Sequence, residues 1–265
     1  MNYLWMTIFG IVFIFFMTTL GAAIVFCFKK EIPSKLNIAF LGLASGIMLA
    51  ASIWSLLLPA LEQATPKWGN FALIPVLTGF LLGAALLLVL DKFAPVIRGD
   101  EKTDAKNGAA LKSANKLFLA VSLHNIPEGL AVGFAFGAAH AVGTSAAYMS
   151  ALTLAIGIGV QNFPEGAAVS LPLSAVLNSR KKAFLFGMGS GLPEPVFAVF
   201  GYFLAAYIRS LQPWLLAFSA GAMIFVVLAE LIPQAKGRQQ DKFPLGACCA
   251  MLGFALMTVL DIALG

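Results

Sequence analysis

Two short segments concentrate the chemistry of this chain: His124-Asn125-Ile126-Pro127-Glu128-Gly129 and Gln161-Asn162-Phe163-Pro164-Glu165-Gly166, one pattern repeated 37 residues apart. In each, a carboxylate follows an imidazole or an amide by four residues, so both groups project from one face of a helix, a turn apart. Asn125 and Asn162 sit about 100° further round the same helices. Pro127 removes the helical donor to the carbonyl of Leu123, and Pro164 does the same for Val160; each motif gains a bend and a free oxygen at the depth of its carboxylate. Gly129 and Gly166 remove side-chain bulk just beyond the acids, so a further helix can come close. Oxygens and one imidazole gathered this way are suited to holding a cation.

The elements that position these groups follow from the solvent. The chain has 265 residues, of which 60% are hydrophobic and 11% charged. That is the composition of a polytopic membrane protein. A spanning helix needs roughly 20 mostly apolar residues. Eight windows have that length, near 3–28, 37–61, 71–90, 116–137, 146–170, 183–207, 213–233 and 243–263. Barrel strands would alternate polar and apolar residues, and these runs do not. The expected fold is an all-α membrane protein of eight transmembrane helices, one polytopic domain over 1–265, with both termini outside.

Orientation follows from the basic residues. With the N-terminus outside, only Lys67 and Arg209 of the 17 Lys and Arg face outward, and the rest fall in inner loops, as the positive-inside bias requires. The formal charge of +5 is then a property of the inner face and a contact for anionic lipid, not a nucleic-acid site. No Lys or Arg precedes the first apolar run, so that run is expected to stay as a helix and not to act as a cleaved signal. The stretch 91–115, with Asp91, Asp100, Glu101 and Asp104 among its lysines, reads as a flexible cytoplasmic connector. Cys27, Cys248 and Cys249 fall near the reducing inner face, where no disulfide is expected. Rows of glycine at Gly129, Gly133 and Gly137 and at Gly42 and Gly46 mark close helix packing; they are compatible with a homodimer but fix no dimer face.

Four carboxylates fall deep inside apolar runs: Glu128, Glu165, Glu194 and Glu230. All Lys and Arg lie in loops, so these acids have no basic partner within the bilayer. Each ionised carboxylate at mid-depth costs on the order of 3 kcal/mol. A divalent ion meets that cost well, because one ion offsets two carboxylates while imidazole and amide groups complete its shell. Two other readings stay open on the residues alone. His124-x-x-x-Glu128 has the helix-face spacing of an intramembrane zinc metallohydrolase, though it lacks the second His of that motif. The same buried acids would also serve a proton or monovalent-cation channel. No Walker A pattern occurs, so no ATP-driven pump is expected.

A fainter repeat joins Ala44-Ser45-Gly46-Ile47-Met48-Leu49 to Ser219-Ala220-Gly221-Ala222-Met223-Ile224, an offset of 175 that sets Ser55 against Glu230. The two copies lie on the second and seventh spans and cross the membrane in opposite directions, as the first two motifs do. Inverted repeats of this kind belong to transporters that hold substrate near the midplane.

Taken with Ser190-Gly191-Leu192-Pro193-Glu194-Pro195 and Ala229-Glu230-Leu231-Ile232-Pro233, the two Pro-Glu-Gly motifs give the chain a resemblance to the ZIP (Zrt/Irt-like) metal transporters, especially their GufA-like branch. The likeness covers essentially the whole chain. It implies a ZIP-type bundle and transport of a divalent transition metal, zinc first and otherwise iron, manganese, cobalt or cadmium, into the cytoplasm across the cell membrane. It also implies that the chain is not an enzyme and needs no cofactor beyond the transported ion. By the same likeness His124, Glu128, Gln161 and Glu165 form the main metal site, with Met48 as a soft contributor. Asn125, Asn162 and Glu194 make an adjacent second site, and Glu230 stands on the cytoplasmic release path. Relatives with a well-formed two-metal centre have Asp where this chain has Asn162, which implies a weak second site. Movement of the first, fourth, fifth and sixth spans against the others is part of what the resemblance suggests.

Overall fold

The computed structural model describes residues 3–27, 33–97, 106–235 and 244–264, and among these every regular element is helical. The helices are α1 (Leu4–Ala23), α2 (Ser34–Ala51), α3 (Leu58–Trp68), α4 (Leu73–Ile97), α5 (Lys106–Val142), α6 (Ser145–Leu177), α7 (Arg180–Ser190), α8 (Pro193–Tyr207), α9 (Gln212–Val226), α10 (Ile232–Ala235) and α11 (Leu245–Leu264). A π-helical segment, Ser52–Leu57, joins α2 to α3 without a break, and a second, Val227–Leu231, joins α9 to α10. The two start at positions 175 apart, the offset of the faint sequence repeat. Six stretches are long and apolar enough to cross a membrane: Leu4–Phe26, Ile38–Phe71, Ser145–Leu171, Arg180–Tyr207, Gln212–Leu231 and Leu245–Ala263. Leu73–Val89 is apolar but shorter.

Several ends differ from the sequence expectation. Helix covers Asp91 to Ile97 and resumes at Lys106, so much of the expected connector 91–115 is helical, and residues 98–105 lie outside the described set. α6 likewise runs on to Leu177, beyond its apolar window. Apolar windows mark where lipid begins and ends, whereas a helix continues past lipid wherever its backbone hydrogen bonds persist. The sixth apolar window is two helices, because Gly191 and Leu192 form a turn and Pro193 opens α8. Of the basic residues that set the expected orientation, Lys29, Lys30, Arg98, Lys102, Lys236, Arg238 and Lys242 lie outside the described residues.

Packing follows the logic of lipid as solvent. On α1, Leu4, Trp5, Ile8, Phe9, Val12, Phe16 and Leu20 are exposed and recur along one face. The opposite face buries Thr7, Gly10, Thr18 and Gly21 with Met6 and Ile14. Acyl chains accept large apolar side chains, so the bundle interior is left to small and polar residues that let backbones approach. Four helix pairs pack most extensively: α5 with α8, α1 with α6, α2 with α11, and α4 with α9. Glycine makes the approach possible in each. A Cβ at Gly133 would strike the Ala198 carbonyl of α8, one at Gly166 the Thr18 carbonyl of α1, one at Gly253 the Leu43 carbonyl of α2, and one at Gly221 the Phe80 carbonyl of α4. The glycine rows at Gly129, Gly133 and Gly137 and at Gly42 and Gly46 do mark close packing between helices of this chain.

Candidate metal site

α5 and α6 continue as helix past Pro127 and Pro164, and both carry their motif into the bundle interior. Glu128 is 1% exposed, Gln161 1% and Asn162 0%, while Glu165 is half-buried. Gln161 is the hub. Its Nε2 donates to Glu128 Oε1 at 2.5 Å and to Asn162 Oδ1 at 3.0 Å, and stands 3.4 Å from Glu165 Oε2. The i and i+4 spacing of Gln161 and Glu165 on α6 therefore does what the sequence promised, and the partner carboxylate arrives from α5 as expected.

Glu194 reaches the same cluster from the start of α8. The turn at Gly191 and Leu192 is closed by the Glu194 N–H donating to the Gly191 carbonyl at 3.0 Å. That places the carboxylate in the first turn of α8, where the helix dipole favours negative charge. Gly129 lets the Glu194 backbone lie against α5 just past Glu128, since any Cβ there would meet the Glu194 carbonyl. Asn162 Nδ2 donates to Glu194 Oε2 at 2.9 Å, and Thr18 of α1 donates its hydroxyl to Glu194 Oε1 at 2.7 Å. Glu165 and Glu194 are both near enough to act on a charge at Glu128.

Asn125 lies beside this junction, its Nδ2 donating to the Ser190 carbonyl at 2.8 Å. His124 is on α5 one turn before Glu128, but its side chain lies outside the described residues. Met48 is 2% exposed within the main apolar cluster. Glu230 is partly exposed in the second π-helical segment. Thus Glu128, Gln161, Asn162, Glu165 and Glu194 form one hydrogen-bonded group with Asn125 at its edge.

Sequence reasoning passed over Thr18 within the cluster and two polar contacts outside it. Thr18 supplies a direct donor, yet a threonine in an apolar helix ordinarily satisfies itself on the carbonyl four residues back, and Thr18 also lies 3.2 Å from Ile14 O. Ser55 donates to Asp261 Oδ1 at 2.7 Å, so Asp261 has a partner on α2's π-helical continuation. Trp54 donates to Thr258 Oγ1 at 3.2 Å beside it. Of these, only Asp261 carried a signal, an acid close to the end of a span. Glu62 is exposed on α3, and His140 is exposed at the end of α5 with its ring 3.2 Å from the Tyr148 hydroxyl.

Among the described residues no three His, Cys, Asp or Glu side chains form a ready metal cage; carboxylates alternate with amides instead. Whether this donor set fits a cation is decided by its unpartnered atoms. Asn125 Oδ1, Glu128 Oε2 and Gln161 Oε1 are buried without a hydrogen-bond partner. All three are oxygens, all belong to the two motifs, and a buried oxygen without a donor is costly unless a cation supplies the positive charge. Oxygen ligands with one imidazole suit a divalent transition metal.

Comparison with known proteins points the same way. The family model described as ZIP Zinc transporter matches residues 113–261. The chain is 36% identical over 333 residues to the zinc transporter ZIP11 of Homo sapiens, covering 97% of this chain and 96% of that protein. It is 36% identical over 252 residues to the zinc transporter GufA of Myxococcus xanthus, with 94% of each covered. The zinc transporter ZIPB of Bordetella bronchiseptica is 36% identical over 254 residues, covering 94% of this chain and 78% of that protein.

Proposed function

The chain belongs to the ZIP zinc transporter family, in the neighbourhood of GufA, and from that premise we propose that it carries divalent transition-metal ions, zinc foremost, across the cell membrane into the cytoplasm. The observation that carries this reading is the buried group of carboxylate and amide oxygens with three acceptors lacking any donor. Its relatives are named as transporters and not as enzymes, so the hydrolase reading is set aside. The ion is substrate, not a resident cofactor.

In the proposed site Glu128, Gln161 and Glu165 hold the ion with His124, the carboxylates supplying charge and the amide and imidazole completing the shell. Asn125, Asn162 and Glu194 offer a weaker neighbouring position, because Asn162 brings no charge and Glu194 is already engaged by Thr18 and Asn162. Met48 adds a soft ligand to the main position, and Glu230 stands on the cytoplasmic release path. A conducting site must bind moderately, and mixed amide and carboxylate ligands achieve that where four thiolates would not. Protons compete for the same ligands, so zinc affinity falls as pH falls.

The proposed architecture has eight spans with both termini outside, related by an inverted repeat. Two features support the repeat. The π-helical segments begin 175 positions apart. Exchanging the first three spans with the last three, and α5 with α6, turns the α5–α8 pair into α6–α1 and the α2–α11 pair into α9–α4, which are the four dominant pairs.

Zinc uptake into proteoliposomes tests the reading. Labelled zinc enters wild-type vesicles down its gradient, and Glu128→Ala Glu165→Ala reduces entry to the protein-free rate. Undiminished uptake by that double variant would remove the proposed site, and peptide cleavage without zinc flux would return the hydrolase.

A further inference from the structure

The way the cluster satisfies itself carries a second conclusion, one that rests on the transport reading and concerns how the unloaded protein tolerates its own ligands. A group of three carboxylates inside an apolar bundle needs donors whenever no ion is bound. The donors described for Glu128 and Glu194 are all neutral: Gln161 Nε2 for the first, Thr18 Oγ1 and Asn162 Nδ2 for the second. Gln161 is the informative one. Its NH2 group faces Glu128 Oε1, Asn162 Oδ1 and Glu165 Oε2, three acceptors from two helices converging on one nitrogen.

Chemistry alone decides which end of this amide points inward. With nitrogen inward, two N–H bonds are shared among three acceptors; with oxygen inward, four oxygens would face one another with no hydrogen between them. Nitrogen inward is therefore the arrangement of the unloaded ligand set, and it leaves Gln161 Oε1 buried without a partner. A metal ion requires the opposite end, since an amide nitrogen that carries two hydrogens has no lone pair to give, whereas the oxygen does.

We propose that the Gln161 amide is a built-in stand-in for the transported ion: its NH2 bridges the Glu128 and Glu165 carboxylates between ions, and it turns about its terminal bond to present Oε1 when a divalent metal arrives. No bond is made or broken in the protein, and the exchange is one of three hydrogen-bond acceptors for one cation. The consequence is directional. A carrier that imports an ion must return unloaded, and carboxylates deprived of that donor would oppose the return. With the amide bridging them, the unloaded site keeps a hydrogen-bond donor shared by both acids on its return.

Gln161→Glu separates this role from simple ligation, because it keeps the size and an inward oxygen for metal but removes the donor. Two zinc fluxes are measured in proteoliposomes: net uptake, which includes the unloaded return, and exchange of labelled external zinc for unlabelled internal zinc, which does not. Net uptake is expected to fall about ten- to hundredfold, the factor carried by one charge-assisted hydrogen bond, while exchange falls less than about threefold. Equal losses in both fluxes, or no loss in either, would overturn the proposal. Failure of the wild-type protein to move zinc in either mode would instead sink the transport reading beneath it.

A measurement independent of flux uses stability in detergent. Metal-free Gln161→Glu is expected to melt about 4 to 8 °C below metal-free wild type and to recover that difference on adding zinc, so its zinc-induced shift is the larger. An unchanged zinc-induced shift contradicts the stand-in. Should Gln161→Glu fail to accumulate, Gln161→Met keeps the volume and removes the donor without adding charge. A metal-free melting point at or above wild type in that variant would also overturn the proposal.

Discussion

The bundle contains two groups of helices that are packed by the same device and filled with different contents. In the first, α1, α5, α6 and α8 approach through Gly21, Gly129, Gly133, Gly137 and Gly166, and the space between them holds Thr18, Asn125, Glu128, Gln161, Asn162, Glu165 and Glu194. In the second, α2, α4, α9 and α11 approach through Gly46, Gly83, Gly221 and Gly253, and the interior is Ile47, Met48, Ala217, Ala220, Met223 and Met257. Hydrogen bonds between side chains described there include the Ser55–Asp261 and Trp54–Thr258 pairs beside a π-helical turn. Lipid gives helices no hydrophobic reason to associate, so close backbone packing must hold either group together. Once glycine has done that, the interior is free to be chemical in one group and inert in the other. The two groups meet where α2 passes α6 and α9 passes α5.

If packing is the shared device, damaging it must be equally severe on both sides. Gly133→Leu drives a side chain into the Ala198 carbonyl, and Gly253→Leu drives one into the Leu43 carbonyl. Backbone cannot move aside as a flexible side chain can, so each variant is expected to lose about 4 kcal/mol or more and to yield little folded protein in detergent. A well-folded Gly253→Leu beside a collapsed Gly133→Leu would show that the second group is held by something other than close approach.

The next largest effect should appear only in the first group. Asn162→Asp replaces the amide that donates to Glu194 with another carboxylate. Removing one partner of a buried charged contact costs about 3 to 5 kcal/mol, so metal-free protein should be strongly destabilised. Divalent metal should restore it and bind at two ions per chain where wild type binds one, read by calorimetry against melting point. A stoichiometry that stays at one would mean that Glu194 serves the fold alone.

These variants also locate what the sequence could and could not disclose. The apolar windows and the buried acids were legible because the bilayer penalises every polar group, so each one that remains, such as Glu128 or Glu165, stands out against its background. The placing of Gln161 and Glu165 on one helix face was legible from helical periodicity. The break at Gly191 and Leu192 was not, since Ser190-Gly191-Leu192-Pro193 suits a kinked helix as well as a turn. The role of Thr18 was hidden because a hydroxyl in lipid can satisfy itself locally, and the orientation of the Gln161 amide depends on acceptors brought from α5, which no spacing within α6 reveals. The π-helical segments were hidden too, because an extra residue in a turn shifts the register of an apolar helix without leaving a polar mark.

The smallest effect sharpens the comparison most finely, because it sets one hydroxyl against another. Thr18 lies in the first group and donates to Glu194; Ser219, on α9 in the second group, is buried with no partner for its hydroxyl. Thr18→Val keeps the shape and removes the donor, leaving a buried carboxylate oxygen short of a hydrogen bond, and should cost about 1.5 to 3 kcal/mol in the metal-free protein. Ser219→Ala removes a polar group that nothing satisfies and should be neutral or stabilise by up to about 1 kcal/mol, because burial without a hydrogen bond is unfavourable from the start. Thermal melts of the two single variants in the same detergent decide the matter. If Ser219→Ala proves as damaging as Thr18→Val, the second group contains a polar network of its own, and the division into a chemical half and an inert half fails.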